Sequence, residues 1–296
     1  MAEKKLKLGI PKGSLQESTL RIFKKAGFNV ENPSRSYFLK IDDPEIECFL
    51  LRPQEIPKYL ERGKLDLGIS GDECIAEAKA KVIEICDLKY AKQEIKKVKW
   101  VLAVSKDSKI KSIKDLQGKT ISTEIVNLAK DYLKKNKVKA KVEFSFGATE
   151  VKPPRFADAV IDLTETGASL KAHGLKILDT VFESSTKLIA NRKSWADKWK
   201  KEKIKDIAIL LKGVVESDRM AGLFLHVSKD KLGRILKVLP SMKKPTVTKI
   251  AGTILYDVCI AGYKKEFREL IPLLKRMGCS GIVEFPLNKA VLQNKS

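Results

Sequence analysis

The chain is predicted to be an α/β protein ending in a ferredoxin-like βαββαβ module, and three observations carry that expectation. Short apolar runs alternate with amphipathic helical stretches over the first two hundred or so residues, the pattern of parallel sheets flanked by helices. From about Val214 the order changes to strand, helix, two strands, helix, strand. The segment Glu150 to Leu170, EVKPPRFADAVIDLTETGASL, carries a buried-type strand straight into a small, hydroxyl-rich loop.

Lys7 to Ile10 is expected as the first strand, Pro11 to Ser14 as a loop, and Leu15 to Ala26 as an amphipathic helix stopped by Gly27. Glu45 to Leu51 forms a strand ending at Arg52-Pro53, and Pro57 to Arg62 a helix stopped by Gly63. Leu65 to Ser70 is a strand running into Gly71-Asp72-Glu73 and another helix. These strand ends offer Lys12, Arg52 and Asp72 or Glu73 to one crevice, where ligands of open α/β sheets bind.

A second unit begins near Lys96. Val98 to Val104 is a strand, Asp115-Leu116-Gln117-Gly118-Lys119 a turn, Thr120 to Thr123 a strand, Val126 to Asn136 a helix, and Val142 to Phe146 a strand. Leu175 to Leu178 and Thr186 to Ala190 are expected to return to the first unit, and Trp195 to Leu211 to form one long helix. The first unit is therefore discontinuous: residues 1–95 with 182–213, around a second unit of 96–181, before a module of 214–296. In that module the strands are Met220 to Val227, Thr246 to Thr248, Thr253 to Ile260 and Gly281 to Phe285, and the helices Lys229 to Leu239 and Lys264 to Met277. No internal repeat is legible.

Ala159, Val160, Ile161 and Leu163 suit a parallel strand whose carboxyl end opens into a site. Thr164, Glu165, Thr166, Gly167, Ala168 and Ser169 follow, and Leu170 to His173 start a short helix closed by Gly174. Glycine admits close backbone approach, and hydroxyls with free N–H groups at a helix start favour a phosphate. Asp162, at the strand end, is placed to accept hydrogen bonds from ribose hydroxyls. Together these suggest a ribose 5-phosphate; the same residues also suit an ordinary strand-to-helix turn with hydroxyl capping. The chain has no GxGxxG and no GxxxxGK[ST], which removes the main support for dinucleotide and P-loop readings.

Composition narrows the function classes. The 296 residues are 43% hydrophobic, an ordinary globular content, and no apolar run approaches the roughly 18 residues needed to span a bilayer. A soluble, cytoplasmic protein is expected. Cys48, Cys74, Cys86, Cys259 and Cys279 are dispersed without a CxxC pair, which reads as reduced, buried thiols. With only His173 and His226 available, a histidine-assisted nucleophile is a poor reading. The net charge of +22 is spread along whole helices, Lys130 to Lys141 and Lys198 to Lys205 among them, with acids interspersed. That favours a solvated, lysine-biased surface first, attraction of polyanionic small substrates second, and nucleic acid last.

KLGIPKGSL, SRSYF (Ser34 to Phe38), DLGISGDE (Asp66 to Glu73), DLQGKTISTE (Asp115 to Glu124), GATEVKPPRFADAVIDLTETGASL and GIVEFPLNK together resemble the long form of ATP phosphoribosyltransferase, the first enzyme of histidine biosynthesis. The resemblance spans nearly the whole chain. It implies two lobes like those of type II periplasmic binding proteins, followed by a regulatory domain that binds histidine. The implied reaction transfers a 5-phosphoribosyl group from phosphoribosyl pyrophosphate to N1 of ATP, with Mg2+ present. By the resemblance, Asp162 holds ribose hydroxyls and the loop Thr164 to Leu170 the 5′-phosphate, centred on Thr166, Gly167, Ala168 and Ser169. Lys12 and Arg52 act in catalysis, and with Gly13, Asp72 and Glu73 contact the nucleotide. Glu124, Glu150 and Arg155 line the crevice more loosely.

In the last domain the motif associated with histidine reads Lys244-Pro245-Thr246, making Thr246 the regulatory candidate. The family's homo-oligomers are dimers or hexamers, with neither nucleic acid nor membrane as a partner. A competing class is a two-lobed binding or sensing protein without activity, against which stand the absence of a helix-turn-helix pattern and a ribose-phosphate loop that a solute binder does not need. Another phosphoribosyltransferase with a different base is a further alternative.

Overall fold

The computed structural model describes residues 4–31, 36–88, 98–240 and 244–292. Its contacts separate two compact units, Met1–Arg21 with Phe28–Ala208, and Ile22–Gly27 with Ile209–Ser296.

The first unit holds two sheets. In chain order the first lobe contains β1 (Leu6–Pro11), α1 (Gln16–Ala26), β2 (Val30–Glu31), β3 (Phe38–Ile41), β4 (Ile46–Leu51), α2 (Ile56–Glu61), β5 (Leu67–Gly71), α3 (Asp72–Ala78) and β6 (Ile83–Asp87). The second contains β7 (Val98–Ser105), β8 (Thr120–Thr123), α4 (Val126–Lys135), β9 (Lys141–Phe144), β10 (Ala159–Thr164), α5 (Ala168–Ala172) and β11 (Leu175–Ser184). Then come β12 (Thr186–Ala190), α6 (Arg192–Ala196) and α7 (Lys198–Ser217).

The first sheet runs β2-β3-β4-β1-β5-β12-β6 and the second β11-β7-β10-β8-β9. In the first, β1 lies between β4 and β5, parallel to both, and β12 is antiparallel to β5 and β6. In the second, β8 lies between β9 and β10, parallel to both, and β7 is antiparallel to β10 and β11. Each lobe thus repeats one plan: three parallel strands, one antiparallel strand and a last strand beyond it, the antiparallel strand being β12, from beyond the second lobe, in the first sheet and β7, which opens the second lobe's own segment, in the second. That structural repeat leaves no trace in the sequence.

Two expectations need correction here. Leu175 to Leu178 does not return to the first sheet: β11 extends to Ser184 alongside β7, with bulges after Ile177 and Thr180, and only β12 crosses back. The expected long helix from Trp195 is two helices, because Asp197 adopts an extended conformation and its carboxylate accepts the Lys200 N–H at 2.8 Å, starting α7 afresh. The sequence also missed β2, β3 and β6.

Both sheets are apolar where helices cover them. Leu8, Ile10, Leu67, Ile69 and Ile189 are fully buried in the first lobe, and Leu102, Val104, Ile121 and Ile161 in the second. Asp66 is buried as well, satisfied by the Lys7 N–H (2.8 Å), the Ser194 hydroxyl (2.5 Å) and the Lys200 ammonium (2.7 Å).

The second unit carries β13 (Met220–Ser228), α8 (Lys229–Val238), β14 (Thr246–Lys249), β15 (Leu255–Tyr263), α9 (Lys264–Arg276) and β16 (Ser280–Pro286). Its antiparallel sheet, ordered β14-β15-β13-β16, has the ferredoxin-like arrangement expected of βαββαβ. Alternate residues Ala221, Leu223, Leu225 and Val227 of β13 pack with Ile235 of α8 and Phe267, Leu270 and Leu274 of α9. Among the described residues, no helix is long and apolar enough to cross a membrane.

Candidate functional site

In the first lobe the chain leaves β1 through Lys12-Gly13. The Lys12 N–H donates to the Leu51 carbonyl at 2.7 Å, which keeps this loop beside the end of β4 and hence beside Arg52. Gly13 has φ of 103°, a conformation that L side chains rarely adopt, and a Cβ there would lie 4.0 Å from Arg52 Nη1. Glycine is thus required by the backbone rather than by lack of room. Lys12 Nζ donates to the Tyr37 hydroxyl at 3.0 Å and lies 4.3 Å from that ring's centroid. This hydrogen bond, then the Lys12 charge, with a smaller contribution from Arg52, hold the exposed Tyr37 phenol below its usual pKa. Of the SRSYF motif, Ser34 and Arg35 lie outside the described residues.

Asp72 and Glu73, expected to face the nucleotide, are hydrogen-bonded to the crossover between β11 and β12. The Asp72 carboxylate accepts from the Ser185 N–H (3.1 Å) and hydroxyl (2.9 Å), and lies 3.4 Å from Lys187 Nζ. Glu73 accepts from the Ser184 hydroxyl. The reason is topological: the crossover from β11 to β12 runs past the start of α3, and its donors take the nearest carboxylates.

In the second lobe, Ala159, Val160 and Ile161 bury β10, and the strand then surfaces at Asp162. Burial raises the Asp162 pKa to about 6; the Leu163 N–H, which Oδ1 accepts at 2.8 Å, opposes the rise, Glu150 and Glu124 add to it, and Lys152 opposes it. Beyond Asp162 the loop is shaped by its own hydroxyls. Thr164 Oγ1 accepts the Gly167 N–H at 2.7 Å, and Gly167 takes φ of 80° as α5 begins. Thr166 Oγ1 faces the Ala168 N–H at 3.4 Å. Leu170, 1% exposed, anchors α5 on Val101, Ala103, Val160 and Leu175, while Glu165, Thr166, Ala168 and Ser169 stay exposed.

Glu124 is exposed just past β8, Glu150 is half-buried in a short 3-10 turn, and their charges reach Asp162. Arg155 is exposed. Thr246, in the second unit, is the exposed first residue of β14.

Two residues that sequence reasoning passed over belong to these surroundings. Tyr37 is bound to Lys12, and Lys152 donates to Ser122 Oγ (3.1 Å) and Ser145 Oγ (2.6 Å) beside Asp162. A lysine among 59 basic residues gives no signal of its own.

Residues 52–213 match the family model described as ATP phosphoribosyltransferase, and residues 218–289 the model for its C-terminal domain. An ATP phosphoribosyltransferase from Thermodesulfovibrio yellowstonii is 50% identical over 291 residues, covering 98% of this chain and 100% of that one. One from Solibacter usitatus is 51% identical over 287 residues, covering 97% and 99%. Among solved structures, an ATP phosphoribosyl transferase complex from Thermotoga maritima matches with a TM-score of 0.61 and 30% identity, over 71% of this chain and 98% of that one.

Proposed function

The chain belongs to the ATP phosphoribosyltransferase family, and from that premise we propose how its residues serve the first step of histidine biosynthesis. The reaction joins N1 of ATP to C1 of phosphoribosyl pyrophosphate as the C1–O bond breaks and its electron pair leaves with pyrophosphate. Adenine N1 is a weak neutral nucleophile, so the protein has to align two polyanions and stabilise the departing charge.

The observation that carries the assignment is the course of β10: a half-buried carboxylate, Asp162, followed directly by a hydroxyl-shaped turn at Gly167. Asp162 accepts the ribose hydroxyls, and Thr164 to Leu170 cradle the 5′-phosphate with hydroxyls and backbone N–H groups. Lys12, Gly13 and Arg52 take the nucleotide and the developing pyrophosphate charge, with Tyr37 fixing the Lys12 ammonium. Glu150 and Arg155 border the same crevice. Asp72 and Glu73 are reassigned from ligand contact to holding the crossover.

We take the metal to be Mg2+. Among the described residues no group of three or more histidine, cysteine or carboxylate side chains is set to cage an ion. That fits an ion carried mainly on substrate phosphate oxygens with one protein carboxylate, for which the exposed Glu124 is available. Bound there, Mg2+ would neutralise charge on the pyrophosphate. We further place the enzyme in the cytoplasm, as a homo-oligomer, dimer or hexamer, inhibited by histidine through the C-terminal domain at a site including Thr246.

The direct test combines the protein with ATP, phosphoribosyl pyrophosphate, Mg2+ and pyrophosphatase, following phosphoribosyl-ATP by absorbance and mass. Product should form only with both substrates present. Asp162→Asn should weaken phosphoribosyl pyrophosphate binding by at least tenfold in calorimetry, and unchanged affinity would remove the ribose role.

A further inference from the structure

Lys152 is the most constrained cation in the second lobe. Its ammonium has three donors, and two are spent on Ser122 Oγ at 3.1 Å and Ser145 Oγ at 2.6 Å. Those serines are 3% and 0% exposed, and Ser145 is itself fixed by Thr149 Oγ1 at 2.7 Å. A lysine ordinarily carries substantial rotamer entropy; here two anchors from separate strands have already taken up much of it. Both anchors are neutral, and among the described residues no carboxylate is paired with the ammonium. A positive charge with a donor to spare is thereby held at the rim of the sheet.

Its position matters as much as its charge. Across the sheet the order is β10, β8, β9: the glycine loop and Asp162 belong to β10, Ser122 to β8, and Ser145 to the turn after β9. The loop follows Asp162 along the chain at the end of β10, and Lys152, bound to Ser122 and Ser145, lies on the β8–β9 side of Asp162, near enough for its charge to act on that carboxyl. Phosphoribosyl pyrophosphate has the same order, with its 5′-phosphate at one end, its hydroxyls in the middle and its pyrophosphate on C1.

We propose that Lys152 is a further substrate-contacting residue, whose pinned ammonium binds the pyrophosphate of phosphoribosyl pyrophosphate and stabilises it as a leaving group. This rests on the reading of Asp162 and the loop as the ribose-phosphate site. The half-buried Lys12 and the exposed Arg52 belong to the first lobe; Lys152 supplies the cation fixed to the second, on the lobe that holds the ribose.

The test uses the full-length chain with Lys152→Met and Lys152→Arg, and ribose 5-phosphate and inorganic pyrophosphate as separate probes. Lys152→Met should lower kcat at least tenfold and weaken pyrophosphate binding at least tenfold, leaving ribose 5-phosphate affinity within twofold of wild type; Lys152→Arg should recover part of both losses. Unchanged pyrophosphate affinity in a folded Lys152→Met variant overturns the proposal, as does an equal loss for both probes, which marks a purely structural lysine. Should Lys152→Met fail to fold, Ser122→Ala with Ser145→Ala keeps the charge and removes its anchors; weaker pyrophosphate binding supports the proposal, and wild-type binding counts against it. Failure of the underlying reading looks different: Asp162→Asn would then leave ribose 5-phosphate binding intact.

Discussion

Asp162 places function and stability in opposition. Its pKa is raised from the usual 3.8 to about 6, so the ionised form costs the folded state more than the unfolded one. That cost is absent below about pH 3.8, grows between the two values and is complete above about pH 6. Discounted for partial exposure, it amounts to about 1–2 kcal/mol. Asp162→Asn is therefore expected to raise the thermal midpoint at pH 8 but not at pH 4, while abolishing turnover. Wild-type affinity for phosphoribosyl pyrophosphate should fall as pH drops through 6, because the protonated acid loses acceptor capacity, and the asparagine variant should lack that limb; calorimetry across pH 5 to 8 measures both. At Tyr37 two roles separate cleanly: Tyr37→Phe removes the hydrogen bond to Lys12, and Tyr37→Leu removes the ring as well. A several-fold rise in KM for ATP in both variants identifies the Lys12 bond as what matters, whereas a rise confined to the leucine variant identifies the ring. The loop around Gly167 was legible in the sequence because positive φ and hydroxyl capping are local properties. Lys152 and Tyr37 were not, since Ser122 and Lys12, the partners that tie them into these surroundings, lie 30 and 25 positions away. The same distance explains Asp72 and Glu73, whose acceptors were claimed by Ser185 and Ser184, 113 and 111 positions on.

At the level of elements, helix α3 does more than follow a strand. Its first residues hold the crossover, and near its end Glu77 accepts the Asn127 N–H at 2.9 Å and the Leu128 N–H at 3.0 Å, while the Glu77 carbonyl accepts the Asn127 side-chain amide at 2.9 Å. A carboxylate from the first lobe thus satisfies the free donors at the start of α4 in the second, where the helix dipole also favours it. No local capping residue precedes α4; Ile125 occupies that position. Glu77→Ala is expected to cost about 1–2 kcal/mol, a fall of roughly 2–8 °C in thermal midpoint for a unit of this size. Because the bond joins the lobes, KM should rise for both substrates together, and an unchanged ratio of the two KM values separates this from damage to either site alone. Helices and buried strands were readable from periodicity. The strand β6, Ile83–Asp87, was not, because its acids Glu84 and Asp87 look like loop chemistry until Lys187 of β12 is found 2.9 Å from each.

At the scale of the molecule, the α/β class and the ferredoxin-like module followed from the order of apolar runs, while the doubled plan of the two lobes did not. Topological equivalence constrains strand order and direction rather than residue identity, and the first lobe takes its antiparallel strand, β12, from beyond the second. The net charge of +22 also belongs to this scale. In the proposed site Lys12, Arg52 and Lys152 act at contact distance, whereas the remaining basic residues form a field that reaches incoming substrates from further away. Both substrates are polyanions, and the screening length falls from about 30 Å at 0.01 M salt to about 10 Å at 0.1 M. Raising KCl from 20 to 300 mM should therefore lower kcat/KM for ATP and for phosphoribosyl pyrophosphate by several-fold. It should leave kcat nearly unchanged, because bound substrates meet fixed, partly buried charges that salt screens poorly. Histidine has no net charge near neutral pH, so the inhibition proposed for it should hardly respond to the same change in salt. Parallel salt titrations of all three quantities test this, and an equal salt response for histidine and the two substrates would show that the charge acts on the protein's conformation rather than on encounter.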